Sequence, residues 1–194
     1  MKKILLLLLK GCETMEFSPF IDIFGWNEII GNGNIQVDTA AFENIINTSW
    51  NLQISPKINL SETKIIIDDY YAVVIPGGFG KYNYFDNLNN DVGQILLKFQ
   101  EKNKIMIGIC TGAIILGYFG ILKNKKATTY LLDNDHYFRQ LTNYKAIPVR
   151  ENITIDENII TSSNPASAIN VALYLLELLS SKENMKIVKR NMGL

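Results

Sequence analysis

The chain has 194 residues, 47% of them hydrophobic, so it is long enough to bury a large core and too apolar to be disordered. Nineteen basic residues balance nineteen acidic ones, and this balance gives no indication of a nucleic-acid partner or of an anionic membrane surface. The two cysteines, Cys12 and Cys110, are too few for a disulfide-stapled fold and lack metal-ligand spacing. They predict a cytoplasmic protein without a bound metal.

The N-terminal segment resembles the start of a signal peptide, because Lys2 and Lys3 precede an apolar run at residues 4–9. The run is only six residues long before Lys10, which is too short for a signal-peptide core or a membrane span. Apolar residues on both faces are typical of a central parallel strand. We therefore predict a buried strand here and no membrane association.

Strands and helices alternate along the chain, which is typical of an α/β fold with a mostly parallel sheet. The predicted strands cover residues 4–9, 35–42, 70–75, 104–107, 127–130 and 146–150, with a hairpin formed by 153–155 and 159–161. The predicted helices cover residues 15–30, 90–100, 113–122, 134–141, 166–179 and 182–190. The polar segment 44–61 predicts short strands and turns. No repeat or linker interrupts this order, so we predict a single domain spanning residues 1–194.

The most informative motif is Gly-Ile-Cys-Thr-Gly at residues 108–112, between a predicted strand and a predicted helix. Glycines two residues either side of the cysteine allow a tight turn, as in the elbow that presents a serine nucleophile in G-x-S-x-G sequences. The thiol of Cys110 would then lie at a helix N-terminus, where free N–H groups and the helix dipole stabilise a thiolate. The pattern predicts a reactive cysteine; the alternative is a core cysteine beside packing glycines.

Two further segments are expected near Cys110, because ligands bind beyond the carboxyl ends of parallel strands. These are residues 11–16, after the first strand, and residues 76–80, after the strand at 70–75. Cys12 falls in the first of them. It is either a redox partner of Cys110 or a small buried hydrophobic residue, the more common role of a free cysteine.

Six segments, in this order, carry a resemblance to a known family. They are Gly11-x-Glu13-x-x-Glu16, Ile-Pro-Gly-Gly at 75–78, the Cys110 elbow, Gly-Ile-Leu at 120–122, Ala-Thr-Thr at 127–129 and Ile-Thr-Ser at 160–162. Together they resemble the ThiJ/PfpI superfamily, the class I glutamine amidotransferase-like group that includes the human parkinsonism-associated protein and isonitrile hydratases. The resemblance covers nearly the whole chain. It implies a flavodoxin-like three-layer α/β/α sandwich, a homodimer, and no metal or organic cofactor.

The resemblance also implies roles for individual residues. Cys110 matches the family's nucleophile, and Glu16 matches the acidic residue that meets the cysteine sulfur and shuttles protons. The backbone N–H groups of Gly78 and Thr111 match the oxyanion hole. In the alternative interpretation, Glu16 is a residue of the first helical turn that the helix dipole stabilises. This interpretation fits Glu13 better than it fits Glu16.

The chain departs from the family in its histidines. Many members carry a histidine directly after the cysteine or directly after the Thr-Thr pair, where this chain has Thr111 and Tyr130. The usual cysteine–histidine dyad therefore cannot be built from those positions. The single histidine, His136, either reaches the site from a loop or faces solvent, and Tyr130 either donates from its hydroxyl or covers the site.

The Cys-Thr-Gly triplet resembles the isonitrile hydratase branch and the ligand-sensing domains of some transcription regulators, which need no histidine. The resemblance implies a hydrolase or lyase that attacks a small carbonyl or isonitrile electrophile through a covalent cysteine adduct. We expect pocket walls from Gly77, Phe79, Phe17, Tyr130 and residues 131–141. The alternatives are an oxidative-stress thiol sensor or chaperone-like protein without turnover, and a non-catalytic module that binds a small ligand. Peptidase chemistry is disfavoured, because neither histidine position is filled.

Overall fold

The structure is a computed structural model that describes residues 1–194. Its strands are β1 (Lys2–Leu7), β2 (Ile35–Ala41), β3 (Ile46–Asn47), β4 (Gln53–Ile54), β5 (Ile58–Asn59), β6 (Tyr70–Ile75), β7 (Ile105–Ile109), β8 (Lys126–Ala127), β9 (Ile147–Pro148), β10 (Ile153–Asp156) and β11 (Ile159–Ser162). Its α-helices are α1 (Thr14–Ile30), α2 (Asn90–Glu101), α3 (Gly112–Tyr118), α4 (His136–Asn143), α5 (Ser167–Leu179) and α6 (Lys182–Asn191).

Seven strands form the central sheet, in the order β10-β11-β7-β6-β1-β2-β5. All neighbouring pairs are parallel except the β10–β11 hairpin. The central strands β1, β6 and β7 are almost entirely buried, which explains their continuous apolar sequences. Their carboxyl ends meet at one edge of the sheet, where the candidate site lies.

Two groups of helices pack around this sheet. Helices α1, α5 and α6 pack against one another, while α2 and α3 pack against β6 and β7. The arrangement confirms the predicted flavodoxin-like α/β fold with a mostly parallel sheet. None of the helices is both long and apolar enough to span a bilayer.

Several boundaries differ from the sequence prediction. Strand β1 ends at Leu7 instead of residue 9, and α3 ends at Tyr118 instead of residue 122. The early end of α3 has a local cause, because Gly120 adopts a φ of +79°, which does not continue a helix. The predicted strands at 127–130 and 146–150 shrink to β8 and β9, which pair with each other outside the main sheet.

Candidate active site

Cys110 lies on the sharp turn between β7 and α3, with a φ of +52°. This left-handed conformation is unfavourable for a residue with a side chain, so the surrounding structure must hold it in place. The Cys110 N–H donates to the carbonyl of Ser162 at 2.9 Å, and its carbonyl accepts from Thr129 Oγ1 at 2.8 Å. These bonds give the Thr-Thr and Ile-Thr-Ser motifs a structural role in presenting the thiol.

The glycines of the elbow are required by close packing. A Cβ at Gly108 would lie 2.7 Å from the backbone nitrogen of Ala113, within the turn itself. A Cβ at Gly112 would lie 2.2 Å from the carbonyl oxygen of Ile75, at the end of β6. Backbone atoms cannot move away as a flexible side chain can, so both positions exclude any other residue.

The segments after β1 and β6 converge on this elbow, as the parallel sheet predicts. The Glu13 N–H donates to the carbonyl of Gly77 at 2.8 Å, and Cys12 pairs with Gly78 in an isolated antiparallel bridge. The backbone contact fixes the first turn of α1 against residues 76–78. Glu16, in that turn, is thereby brought to the cysteine.

The Glu16 carboxyl is completely buried and is held by one of its two oxygens. Oε2 accepts the Gly77 N–H at 2.5 Å, whereas Oε1 has no partner at hydrogen-bond geometry. The ionisable groups beside this carboxyl are Glu13 and the Cys110 thiol. The free oxygen is thus available to exchange a proton with the thiol or with a bound molecule.

Burial raises the pKa of Glu16 well above its ordinary value of 4.5, and the charge of Glu13 raises it further. The hydrogen bond from Gly77 acts in the opposite direction but is a smaller effect. Burial and the charge of Glu13 both favour the protonated form of the Glu16 carboxyl in the folded protein. Because Oε2 accepts from the Gly77 N–H, the proton belongs on Oε1, the oxygen without a partner.

The thiol of Cys110 is only 6% exposed, and burial raises its pKa well above its ordinary value of 9.0. An ionised Glu16 would raise this pKa further, whereas the Thr111 N–H lowers it. The Thr111 N–H at the helix N-terminus thus lowers the pKa of the thiol, as the sequence predicted, but burial raises this pKa by more. Protonation of Glu16 removes its charge, so burial and the charge of Glu13 still raise the thiol pKa and the Thr111 N–H opposes them.

A cavity of about 140 Å³ opens onto the thiol. Its lining consists of Glu13, Glu16, Gly78, Phe79, Cys110, Thr111, Tyr130, Tyr137 and Pro165. Three wider surface hollows share no residue with it. The cavity therefore brings together both residues of the predicted catalytic pair and the two residues of the predicted oxyanion hole.

The Gly78 N–H, predicted to bind an oxyanion, is already engaged. It donates to Thr111 Oγ1 at 2.9 Å, and the same hydroxyl lies 2.8 Å from the Gly78 carbonyl oxygen, to which it donates. An oxyanion would have to displace the Thr111 hydroxyl to use this donor. The Thr111 N–H, directed at the Cys110 sulfur, needs no such change.

The other predicted site residues divide into two groups. Phe79 and Tyr130 line the cavity, as expected. Phe17 does not, because it lies on the face of α1 that packs into the core, and Gly77 contributes its N–H to Glu16 rather than a cavity wall. His136 is exposed at the start of α4, where its Nε2 lies 2.9 Å from Gln140 Nε2, and it does not line the cavity.

The sequence pattern favoured a helix-dipole role for Glu13 and did not mark it as a site residue. Glu13 lines the cavity beside Glu16. It is the N-cap of α1, in extended conformation, and the signal for its position was its place in the segment 11–16, which was expected near Cys110. Tyr137 lies in the segment 131–141 that was expected near the site, but no motif marked it or Pro165.

Cys12 is completely buried and does not line the cavity. Burial, followed by the charge of Glu16, raises its pKa to about 12. Both cysteines are free thiols. This environment favours the small buried hydrophobic residue over the redox partner of Cys110.

A flavodoxin-like sheet with a cysteine on a strand–helix elbow and a buried carboxyl beside it defines a class of α/β proteins. Residues 2–178 match the DJ-1/PfpI family, and the chain belongs to this family. This confirms the resemblance on which the site residues were predicted.

Individual relatives agree with the family match. The chain is 27% identical over 193 residues to protein dj-1beta of Drosophila melanogaster, covering 98% of this chain and 96% of the relative. The crystal structure of that Drosophila protein superimposes with a TM-score of 0.82 at 26% identity, covering 100% of this chain and 98% of the other.

Two other relatives match over shorter lengths. A protein of Methanocaldococcus jannaschii is 36% identical over 116 residues, covering 60% of this chain and 54% of the relative. The isonitrile hydratase of Pseudomonas putida is 24% identical over 144 residues, covering 74% of this chain and 59% of the enzyme. The chain thus matches little more than half the length of each of these two proteins.

Proposed function

We propose that this protein is a cofactor-independent hydrolase or lyase that forms a covalent adduct between Cys110 and a small carbonyl or isonitrile electrophile. The observation that carries the proposal is the partnerless Oε1 of the buried Glu16, in the same cavity as a cysteine on a strained elbow. Strain and perturbed pKa values cluster at functional sites. The name of the isonitrile hydratase among the relatives supports a small electrophile as the substrate.

The addition step needs no base from outside the site. The sulfur of Cys110 bonds to the electrophilic carbon. In a carbonyl the π electrons move to the oxygen, which accepts the proton; in an isonitrile one π pair moves to nitrogen, and the terminal carbon that bonds the sulfur also accepts the proton. Glu16 gives that atom its Oε1 proton and takes up the proton released by the thiol, so its charge is unchanged over the step. Water then adds to the carbon of the isonitrile adduct, the carbon–sulfur bond breaks and the sulfur takes back a proton, which releases an N-substituted formamide and restores the thiol. The same bond breaks when a carbonyl adduct is released.

The test is to incubate the protein with small aldehydes and isonitriles and to follow adducts by intact mass and products by NMR. We expect a Cys110 adduct and a released product in the wild type, and neither in Cys110→Ser. Glu16→Leu should form product at least about 10²-fold more slowly, because proton transfer by a positioned group contributes about 10²–10⁴-fold. Equal turnover in Cys110→Ser would overturn the proposal.

A second candidate, a thiol sensor of oxidative stress, is favoured by the same partnerless oxygen. A sulfinate formed on Cys110 would place an oxygen acceptor beside the Oε1 proton of Glu16. A small excess of peroxide, with two equivalents consumed per thiol, should then add two oxygen atoms to Cys110, stably in the wild type and with overoxidation in Glu16→Leu. Rapid alkylation but no turnover would favour this sensor, and protection of the thiol by a metabolite without product would favour a ligand-binding module.

A homodimer and a cytoplasmic location remain predictions. The strongly apolar helix α5 packs against α1 in the core. The exposed apolar side chains of α1 support an interface elsewhere; they are Met15, Ile21, Trp26 and Ile29. Light scattering should report twice the chain mass for the wild type, and a monomer would contradict the homodimer.

A further inference from the structure

We propose that Glu13 carries a negative charge on the cavity wall and makes the site select small neutral or cationic electrophiles over anionic ones. The inference rests on the proposed function, in that it takes Cys110 as the reacting group. It goes further by naming the charge class of the substrate and a residue that determines specificity.

The charges of the cavity wall are all of one sign. Among its nine lining residues there is no lysine, arginine or histidine, and the two ionisable carboxyls are Glu13 and Glu16. None of the five ion pairs of the structure includes either of them. A carboxylate or phosphate group on a substrate would therefore enter the cavity without a cationic partner, at a large desolvation cost.

Glu13 is the member of the carboxyl pair that keeps the charge. Two neighbouring carboxyls do not both ionise readily, and the more buried one retains its proton. Glu16 is 0% exposed, whereas Glu13 is 9% exposed. Burial raises the pKa of Glu13 above its ordinary value, and the side-chain hydrogen bond with Glu16 opposes this effect in part.

The size of the cavity makes this charge effective. Its volume of about 140 Å³ corresponds to roughly four or five water molecules at about 30 Å³ each, so a substrate that fits has only a few heavy atoms. Such a molecule would share this small space with Glu13 and Cys110, which both line the cavity. We therefore expect small aldehydes, isonitriles or their amino-substituted analogues as substrates, and not 2-oxo acids.

The test uses three alkylating probes of similar size and different charge, with Cys12→Ser as the background. Iodoacetamide is neutral, iodoacetate is anionic and 2-bromoethylamine is cationic. In each reaction the sulfur forms a bond to the carbon that carries the halogen, the carbon–halogen bond breaks and halide leaves. Rates at Cys110 are divided by those of free cysteine under the same conditions, which removes the intrinsic reactivity of each probe.

We expect iodoacetate to react at least about tenfold more slowly than iodoacetamide after this correction, and 2-bromoethylamine to react faster than either. Glu13→Gln should bring the three corrected rates within about threefold of one another. Glu28→Gln is the matched control, because Glu28 is exposed on the same helix and lies outside the cavity. Its rate ratios should equal those of the wild type.

Each contrary result has a distinct meaning. If the three probes react with the wild type at equal corrected rates, the site does not select by charge, and this result alone overturns the proposal. A strong selection that persists in Glu13→Gln would overturn the assignment to Glu13. If Glu13 selects the probes by charge but no aldehyde or isonitrile is turned over, the proposed enzymatic activity is wrong. The charge preference of the site would still be supported. No reaction of Cys110 with any probe would overturn both.

Discussion

The Gly77 N–H donates to Glu16 Oε2 at 2.5 Å, and this bond leaves Oε1 as the oxygen of the buried carboxyl that is free to carry the proton. The glycine follows β6, whereas the glutamate lies on the first turn of α1, so the bond joins two of the segments that converge at the sheet edge. With Oε2 occupied, a proton on Glu16 resides on Oε1.

Glu16 should make the protein less stable as the pH rises. Its pKa is raised in the folded state, so above about pH 4.5 the unfolded chain releases a proton that the folded protein keeps. The stabilisation is full below pH 4.5 and falls by up to about 1.4 kcal/mol per pH unit until the folded-state pKa is reached. Urea unfolding between pH 5 and 8 should show this loss in the wild type and a flatter dependence in Glu16→Gln. The same slope in both would contradict a protonated Glu16.

The Thr111 hydroxyl should contribute to stability through Gly78. It bonds both the N–H and the carbonyl of that glycine, and Thr111→Val leaves these buried groups without a partner. We expect a loss of about 1–3 kcal/mol in the free energy of unfolding, measured with denaturant. Thr111→Ser keeps the hydroxyl and should lose less. If valine and serine are equally stable, the hydroxyl is not what holds this turn.

An added methyl group should destabilise the protein at Gly112, in the elbow, but not at Gly25, in the interior of α1. Gly112→Ala places a Cβ 2.2 Å from the carbonyl oxygen of Ile75, so we expect severe destabilisation and loss of Cys110 reactivity. Gly25→Ala is the matched control, since no atom lies within 4 Å of its added Cβ. In the interior of α1 it should increase stability by about 0.5–1 kcal/mol. A folded Gly112→Ala protein with normal thiol reactivity would contradict the described turn.

Tyr137 should control access to the thiol, and His136 should not. Tyr137 lines the cavity, while its neighbour His136 points to solvent. Tyr137→Ala should speed the reaction of Cys110 with a bulky maleimide more than with iodoacetamide, because it widens the entrance. His136→Ala should leave both rates unchanged. A marked loss of reactivity in this variant would show that His136 contributes to the site.

Much of the fold was readable from local sequence patterns. The apolar runs of β1, β6 and β7 predicted a parallel sheet, and the glycines around Cys110 predicted the elbow. The two residues that were misassigned depend on packing, which periodicity does not reveal. Phe17 and Glu13 both lie near the start of α1, and only the docking of this helix against residues 76–78 decides which one faces the cavity.

The raised pKa of the Cys110 thiol could not be predicted from the sequence either. The helix N-terminus that predicts a stabilised thiolate is visible in the motif, but the burial that opposes it depends on the whole fold. The hydrogen bonds between Thr111 and Gly78 could not be predicted either, because the two residues are 33 positions apart along the chain.

The most direct test of a protonated Glu16 is the pH dependence of Cys110 alkylation by iodoacetamide, followed by intact mass in a Cys12→Ser background. If Glu16 is protonated, Glu16→Gln imitates its charge and should leave the thiol pKa within about half a unit of the wild type. Glu16→Leu removes the donor and should raise that pKa. If Glu16 is instead ionised beside the thiol, Glu16→Gln will lower the thiol pKa by about one unit or more, and this result would contradict the proton shuttle proposed for Glu16.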